Sequence, residues 1–278
     1  MYKIEVTDLR VDYQDYHNRN KHVTALGGIS FTVSAGQFVS IIGSSGCGKS
    51  TLLSVLGGLH LPSGGGVSIN GVPVIGPGLD RGFVFQQYSL FPWMTARKNV
   101  AFGIQQVHKG LSKKERLKQA GSFLEKVGLE SFQDAYPNQL SGGMRQRVAI
   151  ARLLAMDTEI LLMDEPFAAV DAKNRTVLQD LLLSLWEGNQ EDRVFPPDKG
   201  IAKKERKTVV FVTHDMDEAI IMSDRIIMLT PSPGRILRET AVPFPRPRNR
   251  TVLMQSREYI HLRRDLHTLF FNDFGSGI

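Results

Sequence analysis

The chain has 278 residues, 42% of them hydrophobic, one cysteine and a formal net charge of +6, enough length and apolar content for one large α/β domain or two modest ones. The single thiol, Cys47, excludes an internal disulfide framework and fits a reducing compartment. No run of about 18 apolar residues is present to span a bilayer, and the positive charge is dispersed apart from residues 196–207 and 246–250, which reads as surplus surface charge and not as a nucleic-acid groove.

In chain order, the opening Met1-Tyr2-Lys3-Ile4-Glu5-Val6 alternates polar and apolar residues, unlike a signal peptide. Residues 4–11 and 29–33 predict irregular β structure, residues 38–42 a buried strand and residues 51–56 a helix. Gly64-Gly65-Gly66 and Asn70-Gly71 mark turns. From Phe91 to about Met156 the pattern is mainly helical and includes a charged, helix-favouring stretch over 112–127. Residues 160–163 and 209–212 predict two more buried strands, so that short apolar runs alternate with helical ones, the pattern of a parallel α/β sheet. Between Trp186 and Thr208, glycines, Pro196-Pro197 and a lysine-rich run give loop chemistry in which Lys199, Lys203, Lys204, Arg206 and Lys207 stand ready for solvent, a regulator or a lipid headgroup. Pro243, Pro245 and Pro247 break the chain again before Tyr259, Leu262, Leu266 and Leu269, whose spacing predicts a docked amphipathic helix.

Gly43-Ser44-Ser45-Gly46-Cys47-Gly48-Lys49-Ser50 follows a predicted strand and precedes a helical run through Thr51, the context a phosphate-binding loop requires. Its glycines let backbone N–H groups turn inward, the helix adds its positive end, Lys49 brings a mobile cation and Ser50 is placed for Mg²⁺. Cys47, close to that helix N-terminus, reads as a thiol whose ionisation the helix dipole favours and which bound nucleotide would protect. The strand at 160–163 delivers Asp164-Glu165 to its carboxyl end, where the first carboxylate can hold a metal shell and the second polarise an attacking water. His214, just past the strand at 209–212, reads as a γ-phosphate sensor.

Leu140-Ser141-Gly142-Gly143-Met144-Arg145-Gln146-Arg147 resembles the signature of ATP-binding cassette (ABC) proteins. Ser141, Gly142 and Gly143 open a helix N-terminus able to meet a second phosphate-sized anion. The resemblance runs over residues 2–230. It implies an α/β fold: a P-loop NTPase (RecA-like) core with an N-terminal antiparallel β subdomain and an inserted α-helical subdomain at about 88–157. The cassette would span 1–245, followed by a C-terminal helical extension over 246–278. It further implies that Gln86 joins Mg²⁺ and water to the permease-facing surface. Asp171 in Ala169-Val170-Asp171 would cross a dimer, with Val170 where leucine is commoner. Tyr13 would stack on adenine, with Tyr16 as the alternative because residues 14–22 look inserted.

By the same resemblance, ATP and Mg²⁺ are the cofactors, and Lys49 and Ser141 lie on different lobes, so a second cassette, identical or a close paralogue, completes each site. Transmembrane permease subunits would receive the motion, at the cytoplasmic face of the cell membrane and with no nucleic acid involved. Tyr88-Ser89-Leu90-Phe91-Pro92-Trp93-Met94-Thr95 lies on the lobe that receives a permease helix in relatives; its plainer reading is core of that lobe. Residues 229–236 and Pro243-Phe244-Pro245-Arg246-Pro247-Arg248 resemble the nitrate/sulfonate/taurine import subfamily, which implies an external substrate-binding protein acting through the permease. The competing class, a soluble cassette ATPase acting on nucleic acid or ribosomes, usually carries two cassettes or a long coiled-coil insertion, and this sequence shows neither.

Overall fold

The computed structural model describes residues 2–14, 22–87, 89–187 and 206–272. In chain order these form β1 (Tyr2–Gln14), β2 (His22–Ser34), β3 (Phe38–Ile42), α1 (Lys49–Leu56), β4 (Gly64–Ile69), β5 (Val72–Pro73) and β6 (Arg81–Val84). Then come α2 (Ala96–Val107), α3 (Lys113–Lys126), α4 (Gly142–Met156), β7 (Ile160–Asp164) and α5 (Ala172–Glu187). The last elements are β8 (Thr208–Val212), α6 (Met216–Met222), β9 (Arg225–Leu229), β10 (Ile236–Ala241), α7 (Arg250–Met254) and α8 (Arg257–Asn272). Two compact units result, Met1–Pro77 with Thr208–Ile278, and Gly78–Lys207.

The first unit carries an antiparallel sheet in the order β2-β1-β4-β5. The pairing of β1 with β2 slips between Val6 and Leu9, where Asp8 takes a left-handed φ of 42°. That bulge is why alternation in the early sequence looks irregular. The same unit holds β3 between β8 and β9, parallel to both, with β10 antiparallel on β9. Every residue of β3 and β8 is buried, which explains their unbroken apolar runs, since parallel strands are covered on both faces. Residues 2–14 and 22–34 extend further than the predicted β stretches because β1 is paired on both edges.

The predicted C-terminal helix is α8. Tyr259 and Leu266 are buried in one cluster with Ile42 of β3, Ile220 and Ile221 of α6, and Ile226 and Met228 of β9, while Leu262 and Leu269 pack against it. The periodicity at 259–269 therefore belongs to the core of the first unit.

In the second unit β6 and β7 pair in parallel, and α2, α3 and α4 pack on one another. The charged stretch predicted over 112–127 is α3, opened by Ser112 and Glu115 in a reciprocal capping box. Helix α4 is buried around most of its circumference, so it is the axis of this unit. Asn99 of α2 is fully buried and organises the approach to that helix: its Oδ1 accepts from the Phe91 N–H at 2.8 Å, and its Nδ2 donates to the carbonyls of Phe91, Met94 and Thr95 at 3.2, 3.0 and 3.1 Å. The aromatic stretch is thereby divided. Phe91 packs edge-on against Phe102 at 4.8 Å, whereas Trp93 is 69% exposed and is not core. Tyr88 lies outside the described residues.

The lysine-rich segment lies outside them as well, except for its end. There Lys207 donates to Asp157 Oδ1 and to the Thr158 carbonyl, both at 2.7 Å, and the Arg206 guanidinium sits 4.9 Å from the centre of the Trp186 ring. Of the five basic residues expected to face solvent or a partner, Lys207 is therefore engaged within the unit, while Arg206 stays exposed beside the Trp186 ring.

Replacing Asn99 by Ala removes the common partner of four backbone groups, so Asn99→Ala is expected to lower unfolding stability by about 1–3 kcal/mol. A urea titration followed by tryptophan fluorescence measures it, and an unchanged midpoint would show that the 91–95 turn holds itself.

Candidate functional site

In the first unit the chain leaves β3 at Ile42, turns through Gly43–Ser50 and enters α1. Gly48 caps the helix with φ 96° and no side-chain cap bond. A Cβ there would meet Leu26 Cδ2 at 2.6 Å and the Ala25 carbonyl at 2.9 Å, so both conformation and space demand glycine. By helix geometry the N–H groups of Lys49, Ser50 and Thr51 have no acceptor within α1, and Ser45, Gly46 and Ser50 are exposed on the same turn. This is an anion cradle built of backbone.

Lys49 is not a free-swinging cation. It is 7% exposed, and its ammonium donates to the carbonyls of Gly43 at 2.9 Å and Ser44 at 2.8 Å. Cys47 corrects the sequence reading more sharply. Its side chain is buried, and that burial raises the thiol pKa above its ordinary value despite Lys49 nearby. Desolvation of the thiolate outweighs the attraction of Lys49 and the hydrogen bonds of the loop, and the buried thiol is not presented to reagents.

The back of the loop is held by a residue that sequence reasoning treated only as a subfamily mark. Gly234 bridges to the second strand, with Gly27 N–H donating to its carbonyl and its own N–H donating to Ala25, each at 2.9 Å. A Cβ on Gly234 would run into the Cys47 carbonyl. Nothing in the local pattern of Pro233-Gly234 signals this contact, because its partner lies far away in sequence.

Two further candidates sit in this unit. Tyr13 Oη is 3.3 Å from Thr51 Oγ1 in the first turn of α1, and its half-exposed ring tilts against His60 at 5.1 Å; Tyr16 lies outside the described residues. His214 is exposed on the turn from β8 to α6. Its neighbours are fixed: Thr213 Oγ1 donates to Glu218 Oε2 at 2.7 Å and accepts from the Asp215 N–H at 3.0 Å, while Asp215 caps α6 through the N–H groups of Asp217 and Glu218.

The second unit holds the remaining candidates. Asp164 ends the wholly buried β7 and is 6% exposed. Glu165 follows it with φ 46°, a left-handed conformation unusual for a non-glycine residue and of the kind that collects at functional sites. Gln86 is exposed just past β6. Ser141 caps α4, its hydroxyl accepting from the Met144 N–H at 3.3 Å, which leaves the N–H groups of Gly142 and Gly143 in the open first turn. Gly143 allows a close approach, since a Cβ there would lie 3.0 Å from the Ala169 carbonyl. The turn at 169–171 thus packs directly against the start of α4. Asp171 is exposed, and accepts from the backbone N–H and Nδ2 of Asn174 at 3.1 and 2.7 Å; these bonds, the side-chain one first, hold its pKa below the ordinary value. The role of Asn174 in fixing Asp171 had no separate signal in the sequence.

A backbone phosphate cradle after a buried parallel strand defines a P-loop nucleotide-binding α/β protein. Comparison with known proteins makes this specific: the ABC transporter family pattern matches residues 26–168. An uncharacterized ABC transporter ATP-binding protein of Methanocaldococcus jannaschii is 48% identical over 95% of this chain and 90% of its own length. The nitrate import ATP-binding protein of Synechocystis is 42% identical over 89% of this chain and 87% of its own. A solved ATP-binding cassette, dimeric and bound to ADP and phosphate after hydrolysis, superposes with a TM-score of 0.73 at 35% identity, covering 87% of this chain and all of that one. The chain belongs to the ABC transporter family. Its fold combines an N-terminal antiparallel sheet with a RecA-like P-loop core, and it is an ABC-type ATPase cassette.

The Gly234 contact generates a test away from the loop itself. Gly234→Ala is expected to weaken ATP binding about tenfold or more by pushing the Cys47 carbonyl, while the fold is kept. Equilibrium binding of a fluorescent ATP analogue measures this; parental affinity would show that the loop does not depend on its backing.

Proposed function

We propose that this chain is the motor of a solute importer, working as a pair of cassettes that close on two ATP molecules beneath membrane-embedded permeases. The observation that carries the reading is the union, in one chain, of the phosphate loop and the Ser141 helix start. The first would bind a triphosphate, and the second would offer its open N–H groups to the nucleotide of an opposing cassette, a reading that the dimeric solved cassettes support.

In this reading the N–H groups of the Gly43–Ser50 turn other than that of Cys47, which donates to the Ser44 carbonyl at 3.3 Å, and the Lys49 ammonium hold the β- and γ-phosphates, Thr51 lies at the end of the cradle, and Tyr13 stacks on adenine. His214 contacts the γ-phosphate. Ser141, Gly142, Gly143 and Asp171 serve the nucleotide bound by the opposing cassette, identical or paralogous. By the family resemblance Ser50, Gln86 and Asp164, whose hydroxyl, amide oxygen and carboxylate are each of the chemistry Mg²⁺ prefers, would be its ligands. The chemistry that such an ion would supply is neutralisation of charge on the phosphates. Glu165 orients the attacking water and accepts its proton, and Gln86 carries the state of the site toward the permease-facing surface. The dimeric arrangement of the solved cassettes supports the pairing.

The import class rests on the relatives. Nitrate import ATP-binding proteins of Synechocystis and Synechococcus elongatus are 42% and 41% identical to this chain, and a bicarbonate transport ATP-binding protein of Synechococcus elongatus is 46% identical over 34% of its own length; the segments at 229–236 and 243–248 carry the same resemblance to the nitrate/sulfonate/taurine group. Among the described residues no helix is long and apolar enough to cross a membrane; the permeases would supply the path, with this chain peripheral at the cytoplasmic face and an external binding protein delivering solute. The exposed Trp93 fits the permease-facing side.

Glu165→Gln separates binding from chemistry. The variant is expected to bind Mg-ATP, to accumulate as a closed dimer on size-exclusion chromatography, and to hydrolyse at least about 100-fold more slowly. A monomer turning over at the parental rate would refute both the base and the pairing.

ATPase activity of the chain assembled with its permeases in vesicles should rise several-fold when the external binding protein carries a nitrate-, bicarbonate- or sulfonate-type anion. Stimulation by RNA or ribosomes and by none of these would move the chain to the soluble class.

A further inference from the structure

Helix α6 spans only seven residues, Met216–Met222, a length that does not hold its own geometry in water, yet it directly follows His214. The C-terminal extension grips both of its ends. At the first turn, Asp217 Oδ1 accepts from Tyr259 Oη at 2.6 Å and from Arg263 Nε at 2.7 Å, both on α8. The Tyr259 ring is 2% exposed, and burial, then the bond to Asp217, raise its phenol pKa well above the ordinary value, so it stays a donor. At the last turn, Arg248 Nη1 donates to the carbonyls of Ile220, Ile221 and Ser223 at 2.9, 3.0 and 2.8 Å. Beside it Arg246 donates to the Met222 carbonyl at 2.6 Å and to Asp224 at 2.9 Å.

The carbonyls at a helix C-terminus lack intrahelical donors and carry its negative pole. A guanidinium meets both needs, which makes Pro245-Arg246-Pro247-Arg248 a fastening for α6. Asp224 in turn ties this end to the start of β3, accepting from the Phe38 N–H at 3.0 Å. The anchoring of α6 therefore reaches the strand that feeds the phosphate loop, and the turn carrying His214 is continuous with a helix whose two ends the extension controls.

We propose that Tyr259 and Arg248 are positioning residues for His214: by clasping the two ends of α6, the C-terminal extension sets the rate of ATP hydrolysis and leaves nucleotide affinity alone. The proposal rests on the assignment of His214 to the γ-phosphate made above.

Tyr259→Phe keeps the buried ring and removes only the bond to Asp217, so the variant folds. Arg248→Lys keeps the charge and loses the multiple bonds, and Arg248→Met loses both. Steady-state and single-turnover hydrolysis of Mg-ATP by the full chain should show kcat lowered about tenfold in Tyr259→Phe and more in Arg248→Met, Arg248→Lys falling between, with KM within about twofold of the parent. In a His214→Ala background Tyr259→Phe should add no further loss, since coupled residues are not additive. Parental kcat in Tyr259→Phe and Arg248→Met overturns the clasp, as does a full multiplicative loss on top of His214→Ala. If His214→Ala itself hydrolyses at the parental rate, the histidine assignment fails and the clasp with it, an outcome distinct from failure of the clasp alone.

Discussion

A loop that presents its amides to an anion cannot use them for its own folding, and the first unit is organised around that constraint. Apart from the Cys47 N–H, which donates to the Ser44 carbonyl at 3.3 Å, the turn from Gly43 to Ser50 gets its shape from other contacts. Gly48 stands where only a bare Cα fits between Leu26 and Ala25, Cys47 fills the space beneath, and Gly234 closes the rear with a pair of backbone hydrogen bonds. Lys49 completes the arrangement by donating back to the carbonyls of Gly43 and Ser44, so a cation that would otherwise suffer burial is solvated by the loop it belongs to. Rigidity is thus supplied from behind and from within, and the exposed side stays available.

The second unit solves a different problem, the exact placement of carboxylates. Asp164 emerges from a strand whose every residue is buried, leaving it no freedom along the chain. Glu165 then sits in a left-handed conformation, an arrangement that costs about 1 kcal/mol or more for a residue with a Cβ and that turns consecutive side chains in different directions. Gly143 performs a similar service at the helix start by letting the turn before Asp171 approach within backbone contact. In both units small or strained backbone positions decide where charged side chains stand.

Features whose cause is local were legible in the sequence. Unbroken apolar runs foretold β3, β7 and β8, since strands covered on both faces have no polar side to show. The charged, helix-favouring composition of residues 112–127 announced α3, and the repeat at Tyr259, Leu262, Leu266 and Leu269 announced α8. Contacts between distant segments were not legible. No pattern links Gly234 with Cys47, Asn99 with residues 91–95, or Asp217 with Tyr259, because such pairs are chosen by packing and leave no period behind. Cys47 misled for a related reason: its place beside a helix N-terminus is visible in sequence, whereas the burial of its thiol is not. Lys207, in a run of basic residues, gave no hint that Asp157 and Thr158 claim its ammonium.

The meeting of Trp186 with Lys207 also bears on how the chain can change length. The indole Nε1 donates to the Lys207 carbonyl at 2.7 Å across 21 positions of sequence, so the chain departs from and returns to nearly the same point. For any flexible connection, the entropy of bringing its ends together grows only logarithmically with length, by about 0.6 kcal/mol for each doubling. With Trp186 and Lys207 held side by side, the separation between the two anchors is set by their own hydrogen bond and not by the number of residues that joins them. The junction is a natural port, where a reporter domain or an affinity handle can be spliced into the cassette with both of its ends already brought together.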